Sequence, residues 1–105
     1  EMCIRDRIRV MPFMTDEYGS LSQANFMRLA ERLILVVLQE NNIHSYHIDT
    51  YNIMNFKVVQ LYQEIELLGQ IIDKGEQFIR LEIVLNIQGE AYSKATFLIQ
   101  HFNEK

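Results

Sequence analysis

The sequence predicts an α+β domain in which one long apolar helix packs against a five-stranded antiparallel sheet. Two observations predict it: a single stretch with helical periodicity, and an abrupt change to alternating apolar and polar residues near Asn42 that continues almost to the end of the chain. With 105 residues the chain has room for one domain and one core. Its 49% apolar and 23% charged residues are near the averages of globular proteins, so disorder is not expected.

The helical stretch is predicted over residues 22–40. Its apolar residues recur at intervals of three and four, which places them on one face of a helix: Phe26, Leu29, Ala30, Leu33, Ile34, Val37 and Leu38. Residues 33–38 are apolar all round, so we expect this half of the helix to be buried on every side. Ser20 and Gln23 form a capping-box pattern for its start, and Asn41 and Asn42 are expected to end it.

The strands are predicted on both sides of the helix. Residues 8–13 form a short first strand, in which Pro12 indicates an edge or a bulge. Residues 48–58, 61–72, 79–88 and 91–99 are the other four, separated by the turn sequences 73–75 and 88–90. Strands joined by short turns pair antiparallel. The alternation in the second strand predicts one face made of Ile48, Thr50, Asn52, Met54, Phe56 and Val58.

Composition argues against several functions. The formal charge of −4 and the isoelectric point of about 5.3 disfavour a nucleic-acid partner. The longest apolar run has six residues, too few for a membrane span. The only cysteine is Cys3, so neither a disulfide framework nor a thiol metal site is expected, and a reducing, cytoplasmic setting fits best. His44 and His47 fall on opposite faces of a strand, which disfavours a metal site.

The first seven residues resemble a sequencing artefact. Their sequence, EMCIRDR, resembles the translation of a transposase-adapter oligonucleotide used for sequencing libraries. We therefore interpret residues 1–7 as a scar that is not native, assign the domain to residues 8–105, and expect the scar to make no core contacts. The alternative is that these residues are a native N-terminus.

A motif lies between the first strand and the helix. Residues 16–32 read DEYGSLSQANFMRLAER, which resembles the 4-hydroxybenzoyl-CoA thioesterase family of the hotdog-fold thioesterase superfamily, including its short-chain acyl-CoA thioesterase branch. The order of strands and helix also matches, so the resemblance covers residues 8–102. The positions that match by identity or by type are Asp16, Gly19, Leu21, Asn25, Phe26, Glu31 and Arg32.

The resemblance implies a fold, an activity and an assembly. It implies a hotdog fold and hydrolysis of an acyl-CoA or acyl-carrier-protein thioester at the interface of a homodimer or a dimer of dimers. The family's catalytic carboxylate falls at Asp16, and backbone N–H groups at the start of the helix polarise the thioester carbonyl. Gly19 would let the thioester approach that backbone closely, and we expect its carbonyl oxygen to face the N–H groups at and just after Gly19. Coenzyme A would be part of the substrate, and no other cofactor is expected.

Five more polar residues are candidates near this motif. Glu31 is either a second active-site carboxylate or the partner of Arg28 or Arg32 in an ion pair. Ser20, Gln23 and Asn25 could bind the substrate or orient water, or could serve only to cap the helix. Tyr18 either lines an acyl pocket or shields the loop. The residues that belong to these alternatives are Tyr18, Ser20, Gln23, Asn25 and Glu31.

A second function is compatible with the same residues. The family often has histidine or tyrosine at the position of Gln23, or histidine at that of Ser20, and this chain has neither. The family's Gly-Asp pair before the third strand is replaced by Tyr62 and Gln63. The alternative to a thioesterase is therefore a non-catalytic hotdog protein that binds acyl groups or serves in assembly.

Overall fold

The computed structural model describes residues 3–102 and confirms the predicted architecture. In chain order the elements are β1 (Cys3–Arg9), a 3-10 turn (Pro12–Met14), α1 (Gln23–Glu40), β2 (Tyr46–Asn55), β3 (Glu64–Lys74), β4 (Phe78–Ile87) and β5 (Glu90–His101). The five strands form one antiparallel sheet in the order β1-β3-β4-β5-β2, and the helix packs against it.

The core forms between one face of α1 and the inner face of the sheet. The seven apolar residues predicted for the helix face are all buried, and they cluster with the inward-facing residues of β3, β4 and β5. The opposite side of α1 is not covered, because Leu35 and Val36 remain 43% and 42% exposed. Burial on every side was therefore a wrong expectation for this chain: a single sheet covers a single side. No helix within residues 3–102 is both long and apolar enough to cross a membrane.

The helix starts two residues later than the predicted capping box. Ser22 is the N-cap, and its hydroxyl accepts a hydrogen bond from the backbone N–H of Asn25 at 3.2 Å. The pairing of Ser20 with Gln23 is thus wrong, because Ser20 forms a bridge with Gln60 outside the helix. The predicted end is confirmed, with Asn41 as C-cap and Asn42 in the left-handed region at φ 59°.

The second strand has the opposite phase to the predicted one. A bulge shifts the β2–β5 register between Ile48 and Thr50, so that Tyr51 lies opposite the buried Phe97. Each residue after the bulge consequently points to the other side of the sheet. Thr50 and Met54 therefore face outward, and residues 51, 53 and 55 share the inner face. The strand also ends at Asn55, three residues before the predicted end.

The first strand lies earlier than predicted. It runs from Cys3 to Arg9 and pairs with β3, whereas Pro12 opens a 3-10 turn because it lacks the N–H that a ladder needs. Ile4 packs against the core, so the expectation that residues 1–7 make no core contacts is wrong for this part of the segment. Residues 1–2 lie outside the described residues. The adapter origin of the segment stays a hypothesis, because packing is independent of where a sequence came from.

Deleting residues 1–7 tests whether the first strand stabilises the fold. The deletion removes most of β1 and exposes the edge of β3, so we expect a loss of at least about 1 kcal/mol and a fall in Tm of about 4 °C or more. The control is the double variant Arg5→Ala, Arg7→Ala, which breaks two surface ion pairs with Glu66 and should cost less than the deletion. An unchanged Tm after the deletion would show that β1 contributes nothing.

Candidate active site

A cavity of about 480 Å³ opens where the start of α1 meets the end of β2. One wall comes from the loop before the helix and from its first turn, and the other from the chain that leaves β2. Its lining combines apolar surface with a small number of polar groups, as ligand sites do. The lining residues are Asp16, Ser20, Leu21, Ser22, Gln23, Phe26, Asn55, Phe56, Lys57, Val58, Val59 and Ser93.

Asp16 closes the loop that precedes the helix. Its Oδ1 atom accepts hydrogen bonds from the backbone N–H groups of Tyr18 at 2.8 Å and Ser20 at 3.1 Å. Its own N–H donates to the carbonyl of Ser20 at 2.8 Å. The second carboxylate oxygen, Oδ2, has no hydrogen-bond donor among residues 3–102. One oxygen of Asp16 therefore holds the loop, and the other is available to a ligand in the cavity.

Gly19 serves the turn through its conformation. Its φ of 76° is one that residues with a side chain rarely adopt, and a Cβ atom added there would meet nothing within 4 Å. The turn therefore requires a glycine for its backbone conformation, and the close approach of a substrate to it stays a prediction. Its N–H donates to the carbonyl of Asp16 at 3.1 Å, and the N–H of Leu21 donates to Val59 at 2.7 Å. The N–H groups at and just after Gly19, expected to polarise a carbonyl, all have acceptors: those of Gly19 and Ser20 within the loop, and that of Leu21 in the segment after β2.

The free backbone donors lie one turn further along the chain. Gln23 and Ala24 occupy the first two positions of α1, and their N–H groups have no acceptor among the described residues. The Asn25 N–H and side-chain amide both donate to the Ser22 hydroxyl, at 3.2 and 2.8 Å. Asn25 thus supports the cap, and the two N–H groups before it carry the positive end of the helix dipole.

Lys57 is the basic side chain in the cavity wall. Its Nζ atom contacts the Glu90 carboxylate and lies 5.6 Å from the centre of the Tyr92 ring. The hydrogen bond to Glu90, with the negative charge of that carboxylate, raises the pKa of Lys57 above its ordinary 10.5. Lys57 therefore stays cationic at neutral pH, with its charge paired to Glu90, in the wall of the cavity that Asp16 also lines.

Two polar residues in the cavity wall, Asn55 and Ser93, were not predicted from the sequence. They lie opposite each other in the β2–β5 ladder, and the Ser93 hydroxyl donates to Oδ1 of Asn55 at 3.0 Å. A signal for Ser93 was present, since it shares the alternation of the apolar residues Ala95 and Phe97 and so had to face inward. For Asn55 no signal existed, because the bulge in β2 decides which way it points.

The structure brings together only some of the predicted site residues. The cavity is lined by Asp16, Ser20 and Gln23. Gly19 and Asn25 do not line it, but they form hydrogen bonds with the lining residues Asp16 and Ser22. The other two predicted residues do not line it: Tyr18 is 84% exposed, and Glu31 lies on the uncovered side of α1. Among residues 3–102, neither an ion pair of Glu31 with an arginine nor a cluster of three metal-ligating side chains is present.

Sequence comparison places the chain beside part of a longer protein. No protein-family model matches the chain. It is 28% identical over 91 residues to the uncharacterized protein YtoI of Bacillus subtilis, a similarity that covers 87% of this chain and 21% of YtoI. The chain thus spans about a fifth of the length of that curated relative.

Structural comparison shows the fold. A hypothetical thioesterase from Streptococcus pneumoniae, solved with coenzyme A, superimposes with a TM-score of 0.89 at 15% identity, covering 100% of this chain and 85% of that one. The smu.793 protein from Streptococcus mutans, bound to acetyl CoA, superimposes with a TM-score of 0.85 at 14% identity, covering 98% and 83%. The chain has the hotdog fold of these structures.

Two substitutions at Asp16 test its part in holding the loop. Asp16→Asn keeps an oxygen acceptor at Oδ1, so unfolding free energy should stay within about 0.5 kcal/mol of wild type. Asp16→Ala leaves the N–H groups of Tyr18 and Ser20 without their acceptor and should cost about 1–2 kcal/mol. Urea denaturation measures both. Equal stability of the alanine and asparagine variants would contradict a structural role for this carboxylate.

Proposed function

We propose that this hotdog domain hydrolyses the thioester of an acyl-CoA, with Asp16 as its catalytic carboxylate. The observation that carries the proposal is that Asp16 and Gln23 line one cavity. Oδ2 of Asp16 has no partner among residues 3–102, and neither do the N–H groups of Gln23 and Ala24, which begin α1. Thioester hydrolysis needs these two components, a carboxylate and an oxyanion-stabilising pair of donors. Thioesterase structures of the same fold, one of them with coenzyme A, lend it support.

The reaction follows from the two components. The thioester carbonyl oxygen accepts hydrogen bonds from the N–H groups of Gln23 and Ala24, which lowers the cost of the charge that develops on it. Oδ2 of Asp16 takes a proton from a water molecule whose oxygen attacks the carbonyl carbon, or attacks that carbon itself to form an anhydride that water then opens. The carbon–sulfur bond breaks, and the departing sulfur leaves as the thiol of coenzyme A after taking up a proton.

The proposed enzyme works as a homodimer. β2 lies at one edge of the sheet, and a ten-residue strand with one unpaired side invites pairing with another chain. Exposed apolar residues lie on β2 and in the segment just after it, and two more lie on the uncovered side of α1. They are Leu35, Val36, Tyr51, Met54, Phe56 and Val58. A second copy would cover them and narrow the open side of the cavity, where Phe56 and Val58 lie.

A second candidate function is a non-catalytic module that binds acyl-CoA or serves in assembly. It is favoured by the similarity to YtoI, which covers only 21% of that protein, so a related domain occurs within a longer chain. It is also favoured by the absence of histidine from residues 8–42. The two candidates differ in one observable: a module of this kind binds acyl-CoA without releasing thiol.

The Asp16→Asn variant tests the catalytic role. Thiol release from a panel of acyl-CoAs should fall by at least about 10²-fold in kcat, because asparagine neither accepts a proton nor attacks a carbonyl at neutral pH. Binding of acyl-CoA should change far less, because the carboxylate acts mainly on the transition state. A colorimetric thiol assay gives the first quantity and calorimetry gives the second.

Glu31→Gln is the matched control for this experiment, since it removes a carboxylate from the same region but outside the cavity. It should leave kcat within about twofold of wild type. A larger loss for Glu31→Gln than for Asp16→Asn would move the catalytic role onto the helix. Thioester hydrolysis by a fully active Asp16→Asn variant would refute the proposal, and binding without any hydrolysis by the wild type would favour the second candidate.

Light scattering tests the assembly. The purified protein should have at least twice the chain mass of 12.5 kDa at micromolar concentration. The mass should persist at high salt, because the proposed contact depends on apolar side chains and strand pairing rather than on ion pairs. A stable 12.5 kDa species would contradict both the dimer and a cavity shared between chains.

A further inference from the structure

The polar pair Asn55 and Ser93 interrupts an otherwise apolar part of the inner sheet face. Ser93 is 94% buried, as its 6% exposure shows, and its neighbours in the ladder and along the strand are the fully buried Leu85 and Ala95. The buried hydroxyl of Ser93 costs free energy unless it is paired, and an apolar residue in its place would suit the fold equally well. Asn55, which is exposed at the end of β2, supplies the partner. Departures of this kind from the core pattern concentrate at functional sites.

The hydrogen bond between the two residues fixes what the pair offers to the cavity. Ser93 donates its hydroxyl hydrogen to Oδ1 of Asn55, so the acceptor end of the amide is occupied. The amide nitrogen carries two N–H groups, and neither has an acceptor among residues 3–102. The hydrogen bond from Ser93 thus orients the Asn55 amide, whose N–H groups are available as donors in the cavity wall.

We propose that Asn55, held by Ser93, binds an acceptor oxygen on the acyl chain of the substrate, so that the preferred substrates are acyl-CoAs with a carbonyl group along the chain. This inference rests on the proposed function and names its substrate class. The thioester itself is held at the opposite wall, where Asp16 and the first turn of α1 lie. The donor at the end of β2 therefore meets a different oxygen of the same ligand.

The apolar wall fits the rest of such a chain. Phe26 and Val59 are buried, and the exposed Phe56 and Val58 complete the apolar lining. Asn55 is exposed to solvent in the free protein, so an acyl chain that covers it displaces water from its N–H groups. An unsubstituted chain offers these N–H groups no acceptor in return, whereas a carbonyl oxygen does. A site built around a hydrogen bond discriminates against ligands that lack the partner atom.

The test compares ligands that differ by one oxygen. Dissociation constants are measured by calorimetry for 3-oxobutanoyl-CoA against butanoyl-CoA, and for 4-oxopentanoyl-CoA against pentanoyl-CoA, in an Asp16→Asn background that keeps the thioester intact. We expect at least one oxoacyl ligand to bind about fivefold or more tightly than its plain counterpart. Asn55→Asp retains the acceptor for Ser93 but has no N–H, so the preference should fall to about one or below.

Asn52→Asp is the charge-matched control, because Asn52 lies on the same strand but faces outward. It should keep the wild-type preference. The inference is overturned if both oxoacyl ligands bind like their plain counterparts, or if Asn55→Asp weakens both members of a pair equally. The readout is binding, so it separates the two proposals. A preference for oxoacyl ligands in a protein without thioesterase activity would contradict only the proposed catalysis. The absence of any acyl-CoA binding would contradict both the proposed catalysis and the proposed substrate class.

Discussion

Burial of one face of α1 against the sheet is the constraint on which the rest of the structure depends. Seven apolar side chains recur at helical spacing and cover the inward-facing residues of β3, β4 and β5. Their burial removes apolar surface from water, and this gain fixes which face of the helix lies on the sheet. The start of the helix is thereby placed beside the end of β2, and the cavity forms between them.

The loop before the helix then has little freedom left. It is tied to the segment after β2 by hydrogen bonds of Leu21 to Val59, at 2.7 Å, and of Leu61 to Gly19, at 2.9 Å. Within it, one carboxylate oxygen of Asp16 accepts the hydrogen bonds that hold the turn, and the other has no partner among residues 3–102. A carboxylate anchored in this way is already positioned before a ligand arrives, which is what a catalytic base or nucleophile requires.

The sequence predicted those features that depend on local periodicity. The helix face and the antiparallel hairpins follow from spacing alone, and the structure has them where they were expected. The phase of β2 was not predictable, because one bulge after Ile48 reverses every later side chain and leaves no mark in the composition. For the same reason Asn55 was missed. The N–H groups at and just after Gly19 were expected to be free for a carbonyl, whereas in the structure they have acceptors within the protein. One of these acceptors, the carbonyl of Val59, is far away in the sequence, so local spacing could not reveal it.

We propose that the thioester of the substrate lies between Asp16 and the first turn of α1, and amide NMR tests this placement most directly. Acetonyl-CoA, a ketone that mimics a thioester and cannot be hydrolysed, is titrated into the isotope-labelled protein. We expect the largest chemical-shift changes at the backbone amides of Gln23 and Ala24, whose N–H groups donate to the carbonyl oxygen. Shifts confined to residues that line a separate cavity, among them Arg7 and Glu66, would contradict this placement, as would the absence of any response at the helix start.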